Sequence, residues 1–121
     1  QRALDLRQDL GEANLAAESR AGLCRVALSQ NDIVGALAQA FKIYDFLEGG
    51  SVDGMVEPFA VYLVVYLAFK ANGDRRAAAV LQEGYRRLQE RASKIPDPSL
   101  RKSFLNNIAA NRELAAMYEK K

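Results

Sequence analysis

The side chains able to do chemistry in this 121-residue sequence are carboxylates, guanidiniums, ammoniums, hydroxyls, phenols and a single thiol, Cys24; histidine is absent. Without histidine, neither a Ser-His-Asp nor a Cys-His nucleophile can be assembled, and a Cys/His zinc site is excluded with them. One cysteine also excludes a disulfide framework. The carboxylates recur singly, with no second pair converging from another segment, so neither a di-metal centre nor a two-carboxylate glycosidase site can be argued. Gly49-Gly50 and Gly54 are followed by no Lys-Ser or Lys-Thr and preceded by no strand, which removes a phosphate-binding loop. No catalytic residue, cofactor or metal ligand is assigned, and the chain reads as a non-enzyme.

The remaining polar groups have structural explanations. Arg86, Arg87, Arg91, Lys94, Arg101 and Lys102 form the densest basic set. Glu83 stands four residues before Arg87 and Glu90 four before Lys94, the order that favours ion pairs along one helix. A solvated helix face is therefore expected, and no nucleic-acid partner. Cys24 falls on an inward stripe, where a thiol in apolar surroundings is unreactive. Tyr44, Tyr62, Tyr66 and Tyr85 fit a helical core with hydroxyls reaching outward; the alternative use of Tyr62 and Tyr66 is to hold a small ligand.

The elements that must position these groups are helical. Half of the residues are apolar, 26% are charged, and there are eight glycines and three prolines, a composition suited to one folded domain. The net charge of +2 hides a gradient, −4 over residues 1–60 and +6 over 61–121. The longest apolar run, Phe59 to Phe69, is too short to cross a membrane, which takes about 20 residues, so no membrane partner is expected. No secretory leader is recognisable at the start, and a cytoplasmic location is expected. A short amphipathic helix is expected to end at Gly11. A second carries Leu15, Ala16, Ser19, Leu23, Val26 and Ala27, and Asp32 caps a third with Ala36, Leu37, Ala40, Ile43 and Leu47 inward. After a flexible surface connection over residues 48–54, a helix buried on more than one side spans Pro58 to Ala71. Asn72-Gly73-Asp74 then turns the chain into a long helix with Leu81, Gly84, Tyr85 and Leu88 inward. Asp97 and Pro98 start a last helical stretch that runs, with a kink near Asn106-Asn107, to Met117. The fold class is all-α, a single domain of about seven helices, with hairpins over 12–48 and 57–94 and closing helices over 97–121.

The two hairpin turns align at an offset of 42 residues, which sets Asn31-Asp32 on Gly73-Asp74, Ala36 on Ala78, Ile43 on Tyr85 and Phe46 on Leu88. With small residues after each turn (Asp32 to Ala36 and Asp74 to Ala78), the chain resembles tetratricopeptide-type helical repeats over nearly its whole length. The segments Ala68 to Ala78, Leu88 to Ala92 and Lys94 to Asn107 look like the carboxy-terminal repeats of large bacterial signalling proteins. These are STAND-type ATPases, adenylate/guanylate cyclase-like proteins and related transcriptional regulators. Where that family's closing motif has proline and histidine after the asparagine, this chain has Ala109 and no histidine, which predicts a straighter last helix. The resemblance also makes residues 1–10 the second helix of a preceding repeat, cut at Gln1 from a longer array.

What the resemblance implies is a right-handed superhelix of stacked hairpins, whose first helices line a concave groove. Helical spacing sets Glu18, Arg25 and Ser29 of one hairpin and Lys70 of the next on the side expected to face it, as candidate contacts for a protein or peptide partner. The carboxylate-clamp subclass has Lys and Asn where this chain has Ala21 and Arg25, so a chaperone tail is not the expected ligand. The expected role is a protein-interaction or regulatory module, with another domain of the parent chain as one partner. The alternatives are a small-ligand sensor and a self-assembly module, in which exposed repeat faces join copies of the chain.

Overall fold

A computed structural model describes residues 2–49, 55 and 58–120, with side chains described at 14–48, 55 and 58–120. The described residues form six helices: α1 (Arg2–Ser29), α2 (Ile33–Gly49), α3 (Pro58–Ala71), α4 (Arg76–Ser93), α5 (Pro98–Asn106) and α6 (Ala109–Glu119). There is no strand among the described residues, and the fold class is all-α. Of the connection expected over residues 48–54, Glu48 and Gly49 belong to α2, and residues 50–54 lie outside the described set.

Two helix boundaries differ from expectation. Gly11 does not stop a helix; α1 runs unbroken for 28 residues. A glycine inside a helix costs only about 1 kcal/mol relative to alanine, and neither a proline nor a polar capping run accompanies it. At the other end, the kink expected near Asn106-Asn107 is a full break between α5 and α6, so the last stretch does not run straighter. Ile108 is extended (φ −91°, ψ 116°), and the break is closed by side chains. Asn111 donates to the Phe104 carbonyl (3.0 Å) and Arg112 to the Asn106 carbonyl (3.2 Å). Asn111 is 97% buried, since only 3% of it is exposed, so its amide fixes the corner from inside.

The central element is α3. Phe59, Val61 to Tyr66, Ala68 and Phe69 are all buried, because α3 is covered by α1, α2, α4 and α6 together. This explains an apolar run without a polar face. Two of the other helices bury one stripe each: Ala36, Ala40, Ile43 and Leu47 on α2, and Val80, Leu81, Gly84, Leu88 and Ala92 on α4. Within the described residues, α1 packs on α2 and α3, α2 on α3, α3 on α4 and α6, α4 on α5 and α6, and α5 on α6. The backbones of α1 and α6 do not approach each other across α3, nor do those of α2 and α4. Each separation leaves a depression over α3.

Both hairpin turns close identically. In the first, Asp32 N–H donates to Ala27 O (2.8 Å) and Asn31 N–H to Leu28 O (3.1 Å); in the second, Asp74 N–H donates to Phe69 O (2.9 Å) and Gly73 N–H to Lys70 O (3.1 Å). This is the Schellman closure, with a left-handed residue at its apex, here Asn31 (φ 60°) and Gly73 (φ 66°). Ala17, Ala21 and Cys24 are buried, as are Phe59, Leu63 and Tyr66 at the same offset. Past the turns the register slips. Ala36 is buried but Ala78 is exposed, and the buried equivalents of Ala40, Ile43 and Leu47 are Leu81, Gly84 and Leu88, an offset of 41. The pairings of Ile43 with Tyr85 and Phe46 with Leu88 give way accordingly. The cause is local: Ala36 N–H bonds four residues back to Asp32 O, whereas Ala77 N–H bonds three back to Asp74 O. The tighter first turn advances the phase of α4 by one position.

Candidate functional site

Ala60, Leu63, Val64 and Leu67 follow the i, i+3, i+4, i+7 spacing and form one stripe of α3. They floor a groove of ≈ 450 Å³ whose walls are Arg25 and Leu28 from α1 and Ala109, Ala110 and Glu113 from α6. The small side chains at Ala60, Ala109 and Ala110 keep it open. A narrower cavity of ≈ 90 Å³ shares Ala60 and Ala110 with it and continues past Pro58, Phe59, Phe104 and Ile108. The furrow therefore runs along α3 from Leu67 to Pro58, about 14 Å at 1.5 Å per residue. Ile108 is 44% exposed at its far end. Arg25 and Glu113, both exposed, give the two walls opposite charge.

Among the four residues singled out in the sequence, Arg25 lines the groove. Glu18, half-buried, lies two turns earlier on the same face of α1. Ser29 is exposed and turns its hydroxyl back to donate to the Val26 carbonyl (2.7 Å). Lys70 is exposed one turn beyond Leu67, with its ammonium 5.7 Å from the centre of the Tyr66 ring. The structure thus brings Arg25 to the groove and leaves Ser29 and Lys70 outside its lining. The floor and the α6 wall were missed by sequence reasoning. The floor was within reach, since an offset of 42 carries Glu18 onto Ala60 and Arg25 onto Leu67. The wall was not, because it depends on the break at Ile108.

Polar groups elsewhere serve the scaffold. The Cys24 thiol donates weakly to Ala36 O (3.5 Å) and Val64 O (3.9 Å), joining three helices. Burial pushes it up to about 11, against the pull of Arg25, so it carries no thiolate at neutral pH. The two ion pairs that the spacing predicts both form: Arg87 meets Glu83 at 2.9 Å and Lys94 meets Glu90 at 3.9 Å. Arg86 adds pairs to Glu83 (2.8 Å) and Glu90 (3.1 Å). The guanidinium of Arg101 donates twice to the Ile95 carbonyl, at 3.0 and 2.7 Å. No group of three or more metal-ligating residues occurs among the described residues, and no helix is long and apolar enough to cross a membrane. No family model, curated protein or solved structure matches this chain.

Proposed function

We propose that this chain is a non-catalytic helical-repeat module of the tetratricopeptide type, which binds a protein segment in the groove over α3. Three observations support the repeat assignment: the two identical Schellman turns, the matching burial of α1 and α3, and the recurrence of hairpin-on-hairpin packing. The groove carries the functional reading. Its floor is apolar, Ala109 and Ala110 keep the α6 wall low, and its two charged residues have opposite sign. Such a surface suits a segment with apolar side chains for the floor, an acidic group toward Arg25 and a basic group toward Glu113. A furrow of about 14 Å accommodates roughly four residues of extended chain. By the sequence resemblance, the segment belongs to another domain or partner of a larger cytoplasmic bacterial signalling protein, an ATPase, a cyclase-like protein or a transcriptional regulator. Docking there favours one arrangement of the neighbouring domain over another, in proportion to the difference in affinity.

The test is selection of peptides from a random library on the immobilised chain. The selected sequences should combine apolar residues with an acidic one, and Arg25→Glu should replace the acidic preference with a basic one. Enrichment that is unchanged in Arg25→Glu would remove the groove from the account.

A further inference from the structure

The second depression over α3 lies between α2 and α4. Tyr62 and Phe69, seven residues apart, occupy the face of α3 opposite the groove stripe. At one end the gap is closed by Arg76, whose guanidinium lies 4.5 Å from the Phe41 ring centre and 5.7 Å from that of Phe69. At the other end a cavity of ≈ 270 Å³ remains open, with Tyr62, Glu83 and Arg87 on its polar side and Leu47, Ala79 and Val80 among its apolar lining.

Tyr62 is 2% exposed, and its hydroxyl makes no hydrogen bond of ordinary geometry. Such a group is costly to leave buried, and an orphan in a folded chain calls for an explanation. The two carboxylates of the cavity are already engaged. Glu83 accepts from Arg86 Nε at 2.9 Å and Nη2 at 2.8 Å, and from Arg87 Nε at 2.9 Å. Glu48 stands against the Tyr44 phenol. Arg87 acts most strongly among the charges on Tyr62 and directs a long hydrogen bond at its oxygen, but a guanidinium has only donors to offer. The phenolic proton of Tyr62 therefore lacks an acceptor.

We propose that this cavity binds a small molecule with an apolar body and one acceptor oxygen, a carboxylate or carbonyl, that takes hydrogen bonds from the Tyr62 hydroxyl and the Arg87 guanidinium. The body lies against Leu47, Ala79 and Val80. Arg87, 32% exposed and tied to Glu83, shifts to admit the oxygen, a rotamer change of the kind common on binding. The site is independent of the groove, which lies on the other face of α3.

The experiment measures thermal shift and ligand-observed saturation-transfer NMR on the full chain, with benzoate, benzamide and benzylamine as probes. Benzoate or benzamide should raise the melting temperature, and benzylamine, which has no acceptor oxygen, should not. Tyr62→Phe, which removes only the orphan hydroxyl, should fold with equal or higher stability and bind about ten-fold more weakly, the worth of one hydrogen bond. Ala79→Met, which fills the cavity from an exposed position, should abolish the shift. Binding of none of the three probes, binding of benzylamine alone, or undiminished binding by Tyr62→Phe would each overturn the proposal.

Discussion

Asn31 and Gly73 hold the same left-handed backbone conformation, φ 60° and 66°, at the same place in two hairpin turns 42 residues apart. Gly73 adopts it without strain, whereas an L-residue other than glycine is penalised there and asparagine least. Asn31→Gly should therefore leave stability unchanged or raise it by about 0.5 kcal/mol. Gly73→Ala should lower it by about 1 kcal/mol, although the space around Gly73 is open. Urea unfolding of both variants reads the difference; equal effects would show that the turn conformation is not what matters.

Gly84 makes the close approach of α3 and α4. A Cβ placed on it would stand 3.0 Å from Tyr62 Cβ and 3.1 Å from Tyr62 Cγ, atoms near the backbone that cannot swing aside. Gly84→Ala gains helix propensity worth about 1 kcal/mol. The overlap costs about 1–3 kcal/mol, so the net change should be destabilising. A higher midpoint in urea would mean that the two helices separate at little cost.

Glu83 lies between two guanidiniums. The Arg86 hydrogen bonds, followed by those of Arg87, hold its carboxyl at about 2, below the ordinary 4.5. A depressed carboxyl contributes stability above its unfolded value and loses it as pH falls through the folded one. The contribution should therefore be complete above about 4.5 and gone below about 2. With 40% of the side chain exposed, solvent screening reduces it to about 0.5–1 kcal/mol. Glu83→Gln should lower stability by that amount at neutral pH, and the two chains should converge as the acid limit is approached. A difference that persists unchanged at low pH would assign the effect to packing.

The helices and the hairpin turns were legible in the sequence because their signals are local. Pro58 and Asn72-Gly73 mark both ends of α3 as observed, and Asp97 caps α5 by accepting from Ser99 N–H at 2.8 Å. The Glu83 and Arg87 pairing followed from spacing alone. What escaped was the inward face of α1, where Leu15, Leu23 and Val26 of the expected stripe stand exposed and Ala17, Ala21 and Cys24 are buried, together with geometry set by one residue's conformation. The three-residue bond at Ala77 shifts the whole inward face of α4, and the extended Ile108 turns α6 onto α3. Both depressions over α3 depend on which helices remain apart across it, and hydrophobic periodicity does not report that. Gly11 was misread in the opposite sense, since a glycine alone weakens a helix without ending it.

The α1–α3–α6 groove is the proposed meeting place of this chain and its partner. The most direct measurement is backbone NMR titration with a peptide selected on the immobilised chain, comparing the full chain with Ala110→Trp, which fills the groove from its wall. Shifts should concentrate at Arg25, Leu28, Ala60, Leu63, Leu67 and Glu113, and Ala110→Trp should lose binding while the fold is kept. Shifts confined to the α2–α4 side, or binding undisturbed by Ala110→Trp, would contradict this placement.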